Sequence, residues 1–217
     1  SEGIIERTNY LKKTLREKGV QFVITFFDES VQDNSYKYGY LNYNDHFNEI
    51  QKLAELVLKE TSVAVLIKTQ FIRNSPSNLF SNNKYIADAF KTGRLIDLKH
   101  GKTRNIILPI EPALCSNIVI GHAVGATAAL EVAVSGIRCI LLNPYNLNGA
   151  NIEIYKKANI LFSNISDALN AVKLFRKGKS YYKNLGEWDN IIDHFDSFRD
   201  GMSSQRIQKT IKKFTTV

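Results

Sequence analysis

Asn117 to Pro144, NIVIGHAVGATAALEVAVSGIRCILLNP, is the stretch whose reading decides the fold. Asn117 to Gly121 is a short strand rich in β-branched residues, and His122 to Gly125 is a turn bounded by glycines. Ala126 to Ser135 is apolar on nearly every side, as suits a buried helix, and Gly136 stops it. Ile137 to Leu142 supplies a second buried strand. The unit reads as a βαβ crossover, which belongs to a parallel sheet covered on both faces.

In open α/β sheets, ligands settle outside the carboxyl ends of the strands, where helix N-termini present unpaired N–H groups and a partial positive charge. Here that place is Gly121 to Thr127. Gly121 and Gly125 let a bulky anion approach the backbone, Thr127 adds a hydroxyl, and Glu131 lies one helical turn beyond Thr127, where a carboxylate reaches a ribose hydroxyl. The plainer alternative is a tight turn with Glu131 on a packed surface.

Three known motifs compete for this stretch. A P-loop needs Lys followed by Ser or Thr after its last glycine, but Gly125 is followed by Ala126 and Thr127. The G-x-G-x-x-G spacing of a dinucleotide fingerprint is absent. IVIGHAVGA is similar to the α/β-hydrolase elbow, yet Ala123 occupies the nucleophile's seat and cannot attack a carbonyl.

The longer pattern CSNIVIGHAVGATAALEVAVSGIRCILLN resembles the donor-binding half of GT-B glycosyltransferases of the bacterial surface-polysaccharide kind. The resemblance implies a Rossmann-like parallel sheet with helices on both faces, half of a GT-B fold, that holds a nucleotide sugar. It implies that Gly125, Ala126 and Thr127 face the phosphates and Glu131 the ribose, with Gly121 and His122 in the same site. A basic residue after the second strand often meets the donor phosphate in such enzymes. Lys68, at the end of SVAVLI, is the candidate, and Arg73 is its substitute because the family's proline-containing continuation is replaced by Thr69, Gln70 and Phe71. ANILFSNISDALNAVKLF is similar to the end of many donor domains, and Asp200, Gly201 and Arg206 resemble the closing segment of polysaccharide-building transferases.

At 217 residues, 44% hydrophobic and 23% charged, the chain has the length and composition of an ordinary globular protein with one good core. No apolar run reaches the roughly 18 residues of a membrane helix, and no signal peptide opens the chain. Its net charge of +8 suits an acidic partner: a nucleotide, a lipid phosphate surface or a nucleic acid. Cys115 and Cys139 read as buried free thiols of a reduced, cytoplasmic protein. His46, His100, His122 and His194 lack metal-ligand spacing, so neither a metal nor a cofactor is expected.

Along the chain, Glu2 to Lys18 has helical spacing and Gly19 as a stop; because Ser1 is not a methionine, this reads as a linker helix (1–19) leading in from another domain. QFVITFF (Gln21 to Phe27) is a buried strand followed by Asp28 and Glu29, where such sheets place functional loops. Ser30 to Tyr43 is a tyrosine-rich surface loop, and Asn44 or Asp45 caps a helix to about Glu60. Asn74 to Asn83 is a loop, Lys84 to Lys91 a short helix, Arg94 to Leu98 a strand, and His100 to Arg104 a basic turn. Glu111 to Ser116 is a short helix leading into the central strand. After Pro144 come an asparagine-rich loop, a strand at Ala158 to Phe162, and a helix with Ile165, Ala168, Leu169, Val172 and Phe175 as its buried stripe, capped by Asn164 or Ser166.

The expected organisation is therefore a nucleotide-sugar-binding domain over 20–180 and a helical tail over 181–217. Expected partners are a nucleotide sugar, a glycan or lipid-linked acceptor, and a missing N-terminal acceptor domain. That domain would supply the catalytic base, which these residues do not identify, so the donor half is expected to be inactive or nearly so alone. The location is cytoplasmic, with peripheral contact at the inner membrane face as an option. Two alternatives stay open: a hydrolase-like protein with Ala123 at the nucleophile position, and a non-catalytic nucleotide- or nucleic-acid-binding module. The basic charge and the tyrosines suit nucleic acid, but no groove-reading helix or aromatic strand motif accompanies them, so no nucleic-acid partner is expected.

Overall fold

The computed structural model of the chain describes residues 2–29, 41–102 and 106–215. Its strands are β1 (Phe22–Asp28), β2 (Val63–Thr69), β3 (Leu95–Asp97), β4 (Ile118–His122), β5 (Cys139–Leu142) and β6 (Leu161–Phe162). Its helices are α1 (Glu2–Glu17), α2 (Tyr43–Lys59), α3 (Pro76–Leu79), α4 (Lys84–Lys91), α5 (Ile110–Ala113), α6 (Thr127–Val134), α7 (Ala150–Lys157), α8 (Ile165–Arg176) and α9 (Ser203–Thr215). The strands form one six-stranded sheet in the order β3-β2-β1-β4-β5-β6, every neighbouring pair parallel. This is the order of doubly wound, Rossmann-like sheets.

The two-residue alternation of the strands divides the core. Ile24, Phe26, Val65, Ile67, Ile118, Ile120, Ile140 and Leu142 pack with side chains of α2, α4 and α8. The intervening residues face the other way: Val119, Cys139 and Leu141 pack with α6 and α7, and Val23, Ala64 and Leu66 with Leu15 of α1. Burial on both faces is why these strands read as continuous apolar runs.

Polar side chains fix where several elements start. Asn42 caps α2 by accepting from Asp45 N at 2.9 Å, so the cap precedes the expected Asn44 or Asp45. Asn164 caps α8 through Asp167 N at 2.9 Å, as expected. The buried Arg94 guanidinium donates to the carbonyls of Val57, Glu60 and Val63, joining the end of α2 to the start of β2.

Three segments differ from expectation. The stretch read as a loop over 74–83 contains α3. The asparagine-rich loop after Pro144 contains α7, whose anchors Ile152 and Tyr155 are too few to declare a helix by period. The strand expected over Ala158 to Phe162 shortens to β6, because Asn159 adopts a left-handed turn at φ 55°. Downstream, Leu185, Trp188, Ile191 and Ile192 are buried in the core. There Gly186 O accepts from Cys139 N and Trp188 Nε1 donates to Cys139 O, both at 2.8 Å, which clamps the start of β5.

Candidate functional site

β1 and β4 are neighbours, but the chain leaves β1 towards β2 and β4 towards β5, on opposite sides. Connections that diverge in this way open a crevice at the carboxyl ends of the two strands, which is where doubly wound sheets receive ligands. β1 brings Asp28 and Glu29 to that level, and β4 brings His122.

Beneath the crevice lies a buried set of charges. His46 Nε2 is 2.6 Å from Asp28 Oδ1, and His122 Nε2 is 3.1 Å from Glu49 Oε1. Both imidazoles come to carboxylates on a different element, so the first two turns of α2 are tied to β1 and β4. Tyr145, after β5, extends the tie: its hydroxyl donates to Asp45 and accepts from Asn42 N at 3.2 Å. Asp28 Oδ2, His46 Nδ1 and Glu49 Oε2 are buried without a hydrogen-bond partner among the described residues.

The electrostatics follow from burial opposed by pairing. Burial pulls the His46 pKa down, but the charge of Asp28 and its hydrogen bond outweigh it, leaving His46 raised. His122 is pulled down by burial and raised further by its hydrogen bond to Glu49 and the charges of Glu49, Glu29 and Asp28. Asp28 is itself raised by burial, partly offset by His46. The cluster thus holds its protons to higher pH than the same groups would in water.

On the other face of the sheet, Gly125 turns the chain at φ +72° into the first turn of α6. That turn has no side-chain cap among the described residues, and Gly125 and Thr127 are exposed. Thr127 N donates to Gly125 O at 2.7 Å within the turn, and the positive end of the helix lies at this corner. Glu29 guards the corner: a Cβ placed on Gly125 would stand 3.1 Å from Glu29 Oε1. Burial raises the Glu29 pKa; His122 lowers it in part, and Asp28 and Glu49 add to the rise.

The structure brings together Gly125, Ala126 and Thr127, with Glu131 one turn further along the same helix, and places Gly121, His122 and Lys68 elsewhere. Glu131 is exposed further along α6. Gly121 is buried within β4, where an added Cβ would meet Ala129 Cβ at 3.2 Å, so this glycine permits close packing of α6 on the strand. His122 is 2% exposed and shares the parity of Ile118 and Ile120, which turns it to the α2 face, where it meets Glu49. Lys68, half-buried on β2 level with Phe27, shares the parity of Ala64 and Leu66 and lies on the far side of β1 from β4. The side chain of Arg73, positions 30–40 of the tyrosine-rich loop, and Arg104 of the basic turn lie outside the described residues. Arg206 forms an exposed ion pair with Asp200 at 2.8 Å.

His46 and Glu49 escape a reading based on apolar spacing. The signal was present: they are polar residues at positions that fall on the same stripe as Ile50, Leu53, Ala54 and Val57, a stripe otherwise given to the core. Among the described residues there is no group of three or more side chains placed to hold a metal ion, and no helix is long and apolar enough to cross a membrane. No family model, no curated protein and no solved structure matches the chain.

Proposed function

We propose that this chain is the donor-binding half of a glycosyltransferase, taking the diphosphate of a nucleotide sugar at the Gly125–Thr127 corner. The observation that carries the reading is the exposed, uncapped first turn of α6, opened by a left-handed glycine beside the switch point of the sheet. Thr127 offers a hydroxyl to a phosphate oxygen, and Glu131 a carboxylate to a ribose hydroxyl. Burial raises the Glu29 pKa, and in its protonated form this carboxyl would donate to an anion.

The chemistry such a corner supplies is electrostatic. As the bond from sugar to phosphate breaks, negative charge develops on the leaving nucleotide, and fixed N–H dipoles stabilise it without reorganising. The acceptor hydroxyl needs a base, which this reading assigns to a separate acceptor-binding domain. The setting is the cytoplasm, with a glycan or lipid-linked acceptor.

The test is a thermal-shift screen of the chain against UDP, GDP, CMP and their sugars. A ligand at about a hundred times its Kd adds about 2.7 kcal/mol of stability. For a chain of this size that raises Tm by about 5–10 °C. A screen in which no nucleotide or nucleotide sugar moves the transition overturns the reading.

A further inference from the structure

The outward helix α9 carries a second feature, independent of the donor corner. Ile207, Ile211 and Phe214 recur at intervals of four and three residues and are 60%, 56% and 79% exposed. At about 100° per residue they fall in an arc about 60° wide. Arg206, Lys209, Lys212 and Lys213 occupy the opposite side, with serine and threonine flanking the apolar arc. No Asp or Glu occurs from Ser203 to Thr215.

The start of the helix is anchored. Asp200 accepts from both guanidinium nitrogens of Arg206 at 2.8 Å and from Met202 N at 2.9 Å, while the guanidinium lies 3.9 Å above the ring of Phe198, itself 66% exposed. Beyond that anchor every described side chain from Ile207 to Phe214 is exposed. Thirteen residues are marginal as a free helix in water, so an apolar stripe of this kind needs a surface to lie on.

We infer that α9 is a docking helix for an anionic lipid surface: Ile207, Ile211 and Phe214 enter the interface and the lysines reach acidic headgroups. Charge complementarity selects this occupant. A second copy of the chain would bring its own α9 lysines and net charge of +8 against the first. A bilayer containing acidic lipid offers apolar depth and negative charge along one plane, which is the demand of a basic amphipathic helix.

The experiment is co-sedimentation of the whole chain, at low salt, with phosphatidylcholine vesicles and with vesicles containing about one-third phosphatidylglycerol. Binding is expected only to the second. Each lysine near an anionic surface contributes about fivefold to partitioning, so Lys209→Gln/Lys212→Gln/Lys213→Gln lowers it by about a hundredfold. Ile207→Ser/Ile211→Ser/Phe214→Ser also abolishes pelleting while leaving Tm unchanged, since none of the three is buried. Three results overturn the inference: no binding to the acidic vesicles, full binding by the apolar triple variant, or a dimer in sedimentation velocity that those substitutions dissolve while vesicles are ignored.

Discussion

His46 Nε2 stands 2.6 Å from Asp28 Oδ1 with both side chains fully buried, so α2 is fastened to the carboxyl end of β1 by a contact that water does not reach. Removing one partner of a buried pair leaves the other desolvated and uncompensated, at a cost of about 3–5 kcal/mol. His46→Ala is therefore expected to lower the unfolding free energy, read from urea denaturation, by an amount in that range. Asp28→Asn should cost less, because the amide hydrogen-bonds a neutral imidazole and buries no charge. A His46→Ala variant within about 1 kcal/mol of the parent would show that the pair does not hold the helix.

The same cluster sets the direction of the pH dependence. His46 and His122 have raised folded pKa values, so their stabilisation is fully present below the unfolded value of 6.5 and is lost as pH rises through the folded values. Asp28 and Glu29 are raised too, so the folded chain binds their protons more tightly and loses that advantage as pH rises above the unfolded values of 3.8 and 4.5. All four push the same way: the contribution of the carboxyls falls from about pH 4 upward, and above pH 6.5 the two histidines add to the fall in Tm. His122→Gln, which removes one titrating group, should flatten the slope. A parent Tm that climbs through this range would contradict the assignment.

Glu29 couples this proton chemistry to the ligand corner. If its protonated carboxyl donates to phosphate, nucleotide-sugar binding weakens as pH rises through the raised Glu29 pKa. Glu29→Gln keeps a donor that does not titrate, so its binding should hold at the higher pH values where the parent's declines. Calorimetric titration of both proteins over a pH series decides it. Parallel decline in parent and variant would remove Glu29 from the site.

The clamp on β5 makes a prediction about where the folded unit ends. Trp188 is buried and its indole N–H satisfies Cys139 O, while Gly186, at φ +74°, lies so close that an added Cβ would meet Cys139 N at 3.0 Å. Trp188→Ala should cost about 3–5 kcal/mol, as large aromatic truncations do. Ending the chain at 180 should abolish cooperative unfolding, read by circular dichroism. A cooperative transition in the 1–180 piece would show that this segment is dispensable.

The central βαβ unit was legible because a strand buried on both faces and an all-apolar helix leave little choice of environment. Glycines marked its turns, and Gly125 and Gly136 do adopt positive φ. The site was legible only where backbone makes it. The Gly125 turn and the start of α6 at Thr127 follow from local signals. The burial of His122 does not, since it depends on Glu49 arriving from a helix 73 positions earlier. Lys68 was singled out by its place at a strand end. Strand parity then decides which face it occupies, and strand order decides its distance from β4; neither is written in the motif.

The sharpest contrast lies among the residues of the corner itself. Thr127 and Glu131 are exposed, so alanine at either should change stability by no more than about 0.5 kcal/mol. Both variants should nevertheless give smaller nucleotide-sugar thermal shifts, since each removes a group the ligand would use. Gly121→Ala should do the reverse, because its Cβ would press on Ala129 inside the core, away from the ligand. Gly125→Ala combines the two effects. Its φ of +72° costs an L-residue about 1–2 kcal/mol, and the new methyl displaces the Glu29 carboxylate from the turn. Unfolding curves with and without nucleotide sugar separate the classes. Unchanged ligand shifts in Thr127→Ala, Glu131→Ala and Gly125→Ala together would move the donor site away from this corner, whatever the stabilities show.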